Sequence, residues 1–118
     1  MWNFLPTKNF INSSFLLTPM ARNKGTFRTK TRYKMQKERS EKGKISISRY
    51  FQTFEEGEQV HLCVEPAVQK GMYFPRFMGK TGTIICKKKT CYKIKIKDGN
   101  KEKILVSHPV HLKKVNKQ

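Results

Sequence analysis

The run Tyr92-Lys93-Ile94-Lys95-Ile96-Lys97-Asp98-Gly99-Asn100 carries the clearest folding signal in the chain. Its first six residues alternate apolar and cationic without a break. In an extended chain successive side chains leave on opposite faces, so Tyr92, Ile94 and Ile96 form one apolar face while Lys93, Lys95 and Lys97 form a cationic one. A helix would scatter both sets around its circumference. Asp98-Gly99-Asn100 then supplies the chemistry of a hairpin turn, and Lys103-Ile104-Leu105-Val106 reads as the returning strand. The isoleucines are the candidate core, and the lysines stand in water or on phosphate.

Reading backward, Thr83-Ile84-Ile85-Cys86 is an earlier strand, joined to Tyr92 by a tight basic connection, Lys87-Lys88-Lys89-Thr90. Val60, Leu62 and Val64 alternate with His61, Cys63 and Glu65 in another half-buried strand, ended by Pro66. Reading forward, Val110-His111-Leu112 is a last short piece after the His108-Pro109 turn. About five short, mostly antiparallel strands with one long irregular connection, Pro66 to Lys80, imply a mainly β chain folded as a small barrel. Upstream, Ser48 to Phe54 reads as a short helical turn with Ser46 or Ser48 as N-cap. Tyr50, Phe51 and Phe54 fall on one side of that turn and are assigned to the core, where they would anchor the preceding segment.

That preceding segment is a different material. The chain carries 26 Lys and Arg against 8 Asp and Glu, a formal net charge of +18 on 118 residues. Residues 20–53 hold eleven basic and two acidic residues, and residues 54–118 hold fourteen and six. Charge of this size repels itself in a free monomer and is best neutralised by a polyanion, with nucleic acid ahead of a membrane surface. From Arg22 to Lys44 the apolar residues Phe27, Tyr33 and Met35 follow no period, so the segment alone cannot offset the entropy of ordering. On RNA, Phe27 and Tyr33 suit stacking on bases while the neighbouring cations take phosphates.

Residues 1–19 contain one basic residue, Lys8, no acid, and no apolar run longer than three. A secretory signal needs about 7 to 15 consecutive apolar residues and a membrane span about 20, so neither is read here. An import presequence would need arginines that this segment lacks. Met20-Ala21-Arg22 is a second candidate start of translation. The chain therefore divides into a leader at 1–19, expected to lack stable structure, a basic RNA-binding arm at 20–45 and a β-barrel domain at 46–118.

The string Gln69 to Thr83 has Gly71, Gly79 and Gly82, which permit positive φ or close backbone approach, Lys70, Arg76 and Lys80 as phosphate partners, and Met72, Tyr73, Phe74 and Phe77 among them. Four ordered strings then carry a resemblance: Phe27-Arg28-Thr29-Lys30-Thr31-Arg32; Phe54-Glu55-Glu56-Gly57-Glu58-Gln59-Val60-His61; Gly71-Met72 with Pro75-Arg76-Phe77 and Gly79-Lys80-Thr81-Gly82-Thr83; and His108-Pro109-Val110-His111-Leu112. From about Met20 to Lys114 the chain resembles the archaeal and eukaryotic large-subunit ribosomal protein L twenty-one family, which is distinct from the bacterial protein of similar name. Tyr73 stands where that family often has proline.

The resemblance implies an SH3-like barrel with an extended basic N-terminal arm, serving as a cytoplasmic structural component of the large ribosomal subunit. Its expected partners are large-subunit rRNA near the 5S rRNA and neighbouring ribosomal proteins. The RNA contacts carried over are Arg22, Lys24, Phe27, Arg28, Lys30, Arg32, Tyr33, Lys34, Lys37 and Arg39 in the arm. Lys70, Met72, Tyr73, Arg76 and Lys80 follow in the loop, with His108 from the last string. The alternative is a free SH3-like interaction module whose basic tail serves localisation.

No chemistry beyond binding is indicated. Cys63, Cys86 and Cys91 are an odd number without disulfide-scaffold spacing, which favours reduced thiols in a cytosolic setting. Cys86 with Cys91 and His108 with His111 are zinc-type ligands, but the cysteine spacing is wide and the pair flanks a hairpin turn, so no metal or other cofactor is assigned. Gly79-Lys80-Thr81 lacks the earlier glycine of a phosphate-binding P-loop. No nucleophile is paired with a base, so neither a catalytic residue nor a small-molecule substrate is expected.

Overall fold

A computed structural model of the chain describes residues 25–115. The leader, the candidate start at Met20, and the arm cations Arg22 and Lys24 lie outside the described residues.

One five-stranded antiparallel sheet is built from β1 (Gln59–Leu62), β2 (Thr81–Lys88), β3 (Cys91–Asp98), β4 (Lys101–Ser107) and β5 (Leu112–Lys114), in the order β4-β3-β2-β1-β5. Strands β1 to β4 form a meander and β5 returns to the free edge of β1, which gives the mainly β, SH3-like arrangement expected from the sequence. In β3 the two faces separate as the alternation requires: Tyr92, Ile94 and Ile96 are buried, while Lys95 and Lys97 are exposed. Asp98 pairs with Lys101, leaving Gly99-Asn100 as a two-residue turn. Gly99 has φ +62° at its first central position, where a type II′ hairpin takes glycine.

The core joins Val60 and Leu62 of β1, Ile84 of β2, the three apolar residues of β3 and Leu112 of β5. Phe54, Val64, Tyr73 and Phe77 close it. Gly82 is fitted to this packing, because a Cβ there would stand 2.5 Å from Ile94 Cγ2 and 2.9 Å from the Lys95 carbonyl.

Several elements differ from their sequence-based reading. Strand β2 runs on through Lys87 and Lys88, which pair with Tyr92 and Cys91, so the connection is only Lys89-Thr90. A bulge between Ile84 and Cys86 shifts the register and leaves Ile85 exposed. The piece read as Val110-His111-Leu112 divides into a 3-10 helix, Pro109–His111, and the start of β5. The helical turn is α1 (Ile47–Tyr50), capped by Ser46. Phe54 is buried as expected, but Phe51 is 73% exposed and is not core.

The arm also departs from expectation. Its described part has only turns, yet it is laid on the barrel by a few specific contacts. Arg28 Nη2 donates to the Pro66 carbonyl at 2.9 Å, Phe27 meets Phe74 edge to face at 5.7 Å, and Met35 packs against the core. Lys37 forms an ion pair with buried Glu65. Four anchors replace the periodic apolar face that the segment lacks.

Candidate nucleic-acid interface

The loop from Cys63 to Lys80 is held to the barrel at both ends by its backbone. Gly71 has φ +63° and accepts from the His108 N–H at 3.0 Å; a Cβ there would lie 2.8 Å from that same nitrogen. Only glycine satisfies both the left-handed backbone and the close approach. Farther along, Pro75–Phe77 form a 3-10 turn that buries Phe77 and directs Arg76 outward.

Arg76 and Lys80 meet the β3–β4 hairpin at Asp98. Lys80 Nζ donates to Asp98 Oδ1 at 2.6 Å, Lys103 Nζ donates to Oδ2 at 2.8 Å, and Arg76 Nη2 lies 3.7 Å from Oδ2. Both ammonium groups also sit over the Phe77 ring, at 5.5 and 5.4 Å from its centroid. The hydrogen bonds from Lys103 and Lys80, with Arg76 nearby, hold the Asp98 carboxyl well below the usual carboxylate range. One carboxylate thus gathers three cations and leaves their excess charge facing solvent. Asp98 and Lys103 were not site candidates, since the hairpin turn accounted for Asp98 locally and no sequence spacing ties it to a loop 18 residues away.

The candidate RNA contacts separate into three groups. Lys30, Arg32, Tyr33, Lys34, Arg39, Lys70 and Arg76 are exposed, Tyr33 the most among the described large apolar residues at 84%. Phe27, Arg28, Lys37 and Lys80 are engaged within the fold through the contacts above, and Lys37 also donates to the Lys44 carbonyl at 2.7 Å. Met72, Tyr73 and His108 turn inward: Met72 packs on the core, and Tyr73 and His108 are buried. Met72 and Tyr73 face inward because the loop folds back to close the barrel end, whereas His108 lies after β4, at the start of the 3-10 helix.

Tyr73 has a specific consequence. Its hydroxyl is buried with no hydrogen-bond partner among the described residues, and burial, with the Cys63 thiol nearby, pushes its pKa far above the tyrosine range. An unsatisfied buried hydroxyl costs stability. Tyr73→Phe is therefore expected to raise the unfolding free energy by about 1 kcal/mol without changing RNA affinity, read from urea midpoints and a filter-binding isotherm.

His111 is fully buried and bonded at both nitrogens. Its Nδ1 accepts from the Glu65 N–H at 3.0 Å, and its Nε2 lies 3.2 Å from the Lys70 carbonyl, to which it must donate. Only the neutral Nε2–H tautomer satisfies both. Desolvation is the largest cause lowering its pKa, opposed by the bond to Lys70; His108 is lowered by burial and then by the Lys70 charge. Unfolded histidines would take up protons at higher pH than these, so this contribution is full above about pH 6.5 and is lost as pH falls toward the folded values. Asp98 acts at lower pH: its contribution is full above the ordinary carboxylate range and is lost progressively as pH falls through that range toward the lowered folded value. Urea midpoints are accordingly expected to decline from about pH 7 to about pH 5, with the histidines responsible.

Cys86 and Cys91 flank the β2–β3 turn, and no three His, Cys, Asp or Glu residues are gathered as a metal site among the described residues. No helix among them is long and apolar enough to cross a membrane.

A small SH3-like barrel carrying a basic arm and a cation-rich loop is the class of protein defined here. The family described as ribosomal protein L21e matches residues 20–117, and the chain belongs to that family. It is 42% identical over 87 residues to the large ribosomal subunit protein eL21 of Methanococcus maripaludis strain C5, covering 74% of this chain and 90% of the relative. It is 43% identical over 93 residues to the eL21 protein of Methanocorpusculum labreanum, covering 79% and 94%. The eL21 protein of Methanospirillum hungatei is 43% identical over 86 residues, covering 73% and 89%.

Proposed function

We propose that the chain is a non-enzymatic structural constituent of the large subunit of cytoplasmic ribosomes, binding and stabilising folded rRNA through its arm and its Gln69–Thr83 loop. Membership of the L21e family across residues 20–117 is the observation that carries this reading. The arm, residues 20–45, and the barrel, residues 46–118, divide the work: the arm threads between RNA segments and the barrel fixes its origin. The placement near 5S rRNA, among neighbouring ribosomal proteins, belongs to the same proposal.

Exposed Arg32, Lys34, Arg39, Lys70 and Arg76 supply phosphate contacts, and each releases counterions on binding, with a salt slope of roughly −0.7 to −0.9 per contact. Asp98 preorganises Lys80 and Lys103, so less side-chain freedom is lost when RNA arrives. Base specificity is slight, and the shape of the RNA junction sets position.

Sedimentation of the tagged chain in sucrose gradients at low and moderate salt tests this. The expected result is a peak that stays with cytosolic large subunits after the salt wash. A chain that runs free at the top of both gradients would instead be a peripheral interaction module, and a peak confined to mitochondrial ribosomes would refute the cytoplasmic placement.

A further inference from the structure

The face that carries α1 and the β2–β3 turn lies apart from the Asp98 cluster and holds an open groove of about 350 Å³. That is the size of a site for a small organic group. One part of its lining is aromatic. Phe51 meets Tyr50 edge to face at 5.2 Å, and the Tyr50 ring lies 4.8 Å from that of His108, so three rings are contiguous. Phe51 is largely exposed beside the half-buried Tyr50, so its ring is open to solvent.

Lys87 and Lys89 line the same groove, and no Asp or Glu does. Lys87 is positioned by the Tyr92 ring, 5.9 Å from its ammonium nitrogen. Lys89 has φ +54°, in the left-handed region that a lysine adopts at a cost. The other two-residue turn of the sheet uses Gly99 for its positive φ. Backbone strain retained beside a concave surface points toward a function for the residue that bears it.

We propose that this groove receives one unpaired nucleotide of RNA, its base stacked on Phe51 and the two phosphates that flank it held one each by Lys87 and Lys89. The inference rests on the RNA-binding reading above and extends it to a face that the arm and loop do not include. An exposed ring offers its face to any base, and paired lysines without a nearby acid match phosphodiesters. An acidic peptide would use the lysines but leave the aromatic wall unmatched.

The test uses the full chain and a fluorescent ten-nucleotide single strand of mixed, non-ribosomal sequence, with the same sequence as a duplex. Phe51→Ala is expected to weaken single-strand binding roughly tenfold while leaving duplex binding, salt slope and Tm unchanged. Replacing both Lys87 and Lys89 with alanine is expected to flatten the slope of log K against log salt by about 1.4. Lys89→Gly separates structure from function, since it should raise Tm by relieving strain yet flatten the slope by about 0.7. In NMR spectra the Phe51 and Tyr50 ring resonances should shift as the strand is added. Unchanged affinity of Phe51→Ala with unmoved ring resonances would overturn the proposal. Release of the variants from intact subunits with undiminished oligonucleotide binding would also overturn it, in favour of a protein partner. Because the strand contains no ribosomal sequence, these outcomes stand independently of the gradient experiment.

Discussion

Ile94→Ala is expected to lower the unfolding free energy by about 2–5 kcal/mol, enough to leave a large unfolded population of the free protein in mild urea. Ile94 is 0% exposed at the centre of β3, the strand that pairs with both β2 and β4. It lies opposite Ile84 on one side and Leu105 on the other, so truncation opens a cavity between three strands. Cavity cost adds to lost transfer free energy because the surrounding residues collapse only in part. A domain of this size has about 5–15 kcal/mol in total, and its own positive charge draws on that reserve. Circular dichroism of the variant across a urea series would show a midpoint shifted strongly downward, whereas a midpoint within error of the parent chain would mean that this strand is not the core.

Loss of Arg32, Lys34, Arg39 and Arg76 together, each replaced with alanine, is expected to flatten the salt dependence of rRNA binding by about 3. Affinity near 0.1 M salt should fall on the order of a thousandfold by the same rule. These four are exposed, and none makes a short ion pair among the described residues; Arg76 approaches Asp98 only to 3.7 Å. Tm should therefore stay close to the parent value. Lys37 and Lys80 are poorer choices for such an experiment. Removing Lys37 strips a partner from buried Glu65, and removing Lys80 breaks the 2.6 Å bond to Asp98, so a binding defect would mix with loosened structure. Filter binding to purified large-subunit rRNA at several salt concentrations checks the slope directly. A parallel displacement of the curves, with the slope retained, would mean that these cations do not contact phosphate.

What could be read from the chain follows the range of each signal. Alternation in Tyr92–Lys97 and the Asp98-Gly99-Asn100 turn are local, and the structure keeps both. Strand β2 was read too short because three consecutive lysines resemble a loop, whereas strand pairing leaves Lys87 and Lys88 on an exposed edge of the hairpin where their charge is solvated. Phe51 and Tyr73 exchanged roles for different reasons. A helical turn running on to Phe54 would turn Phe51 inward, but α1 ends at Tyr50 and leaves Phe51 outside, while Tyr73 lies in an aperiodic loop whose path across the barrel end takes it inside. The Asp98 cluster and the Lys37–Glu65 pair join residues 18 and 28 positions apart, a reach that no spacing rule covers. The exposed cations of the arm were legible because they depend on composition alone.

The most direct measurement of the central claim is ultraviolet cross-linking of the chain in living cells, followed by sequencing of the attached RNA. The account predicts that large-subunit rRNA dominates, with contacts concentrated in a few folded segments and carried by peptides from the arm and the Gln69–Thr83 loop. Cross-links spread over messenger RNA, or an absence of RNA on those peptides in a chain that is folded and expressed, would contradict it.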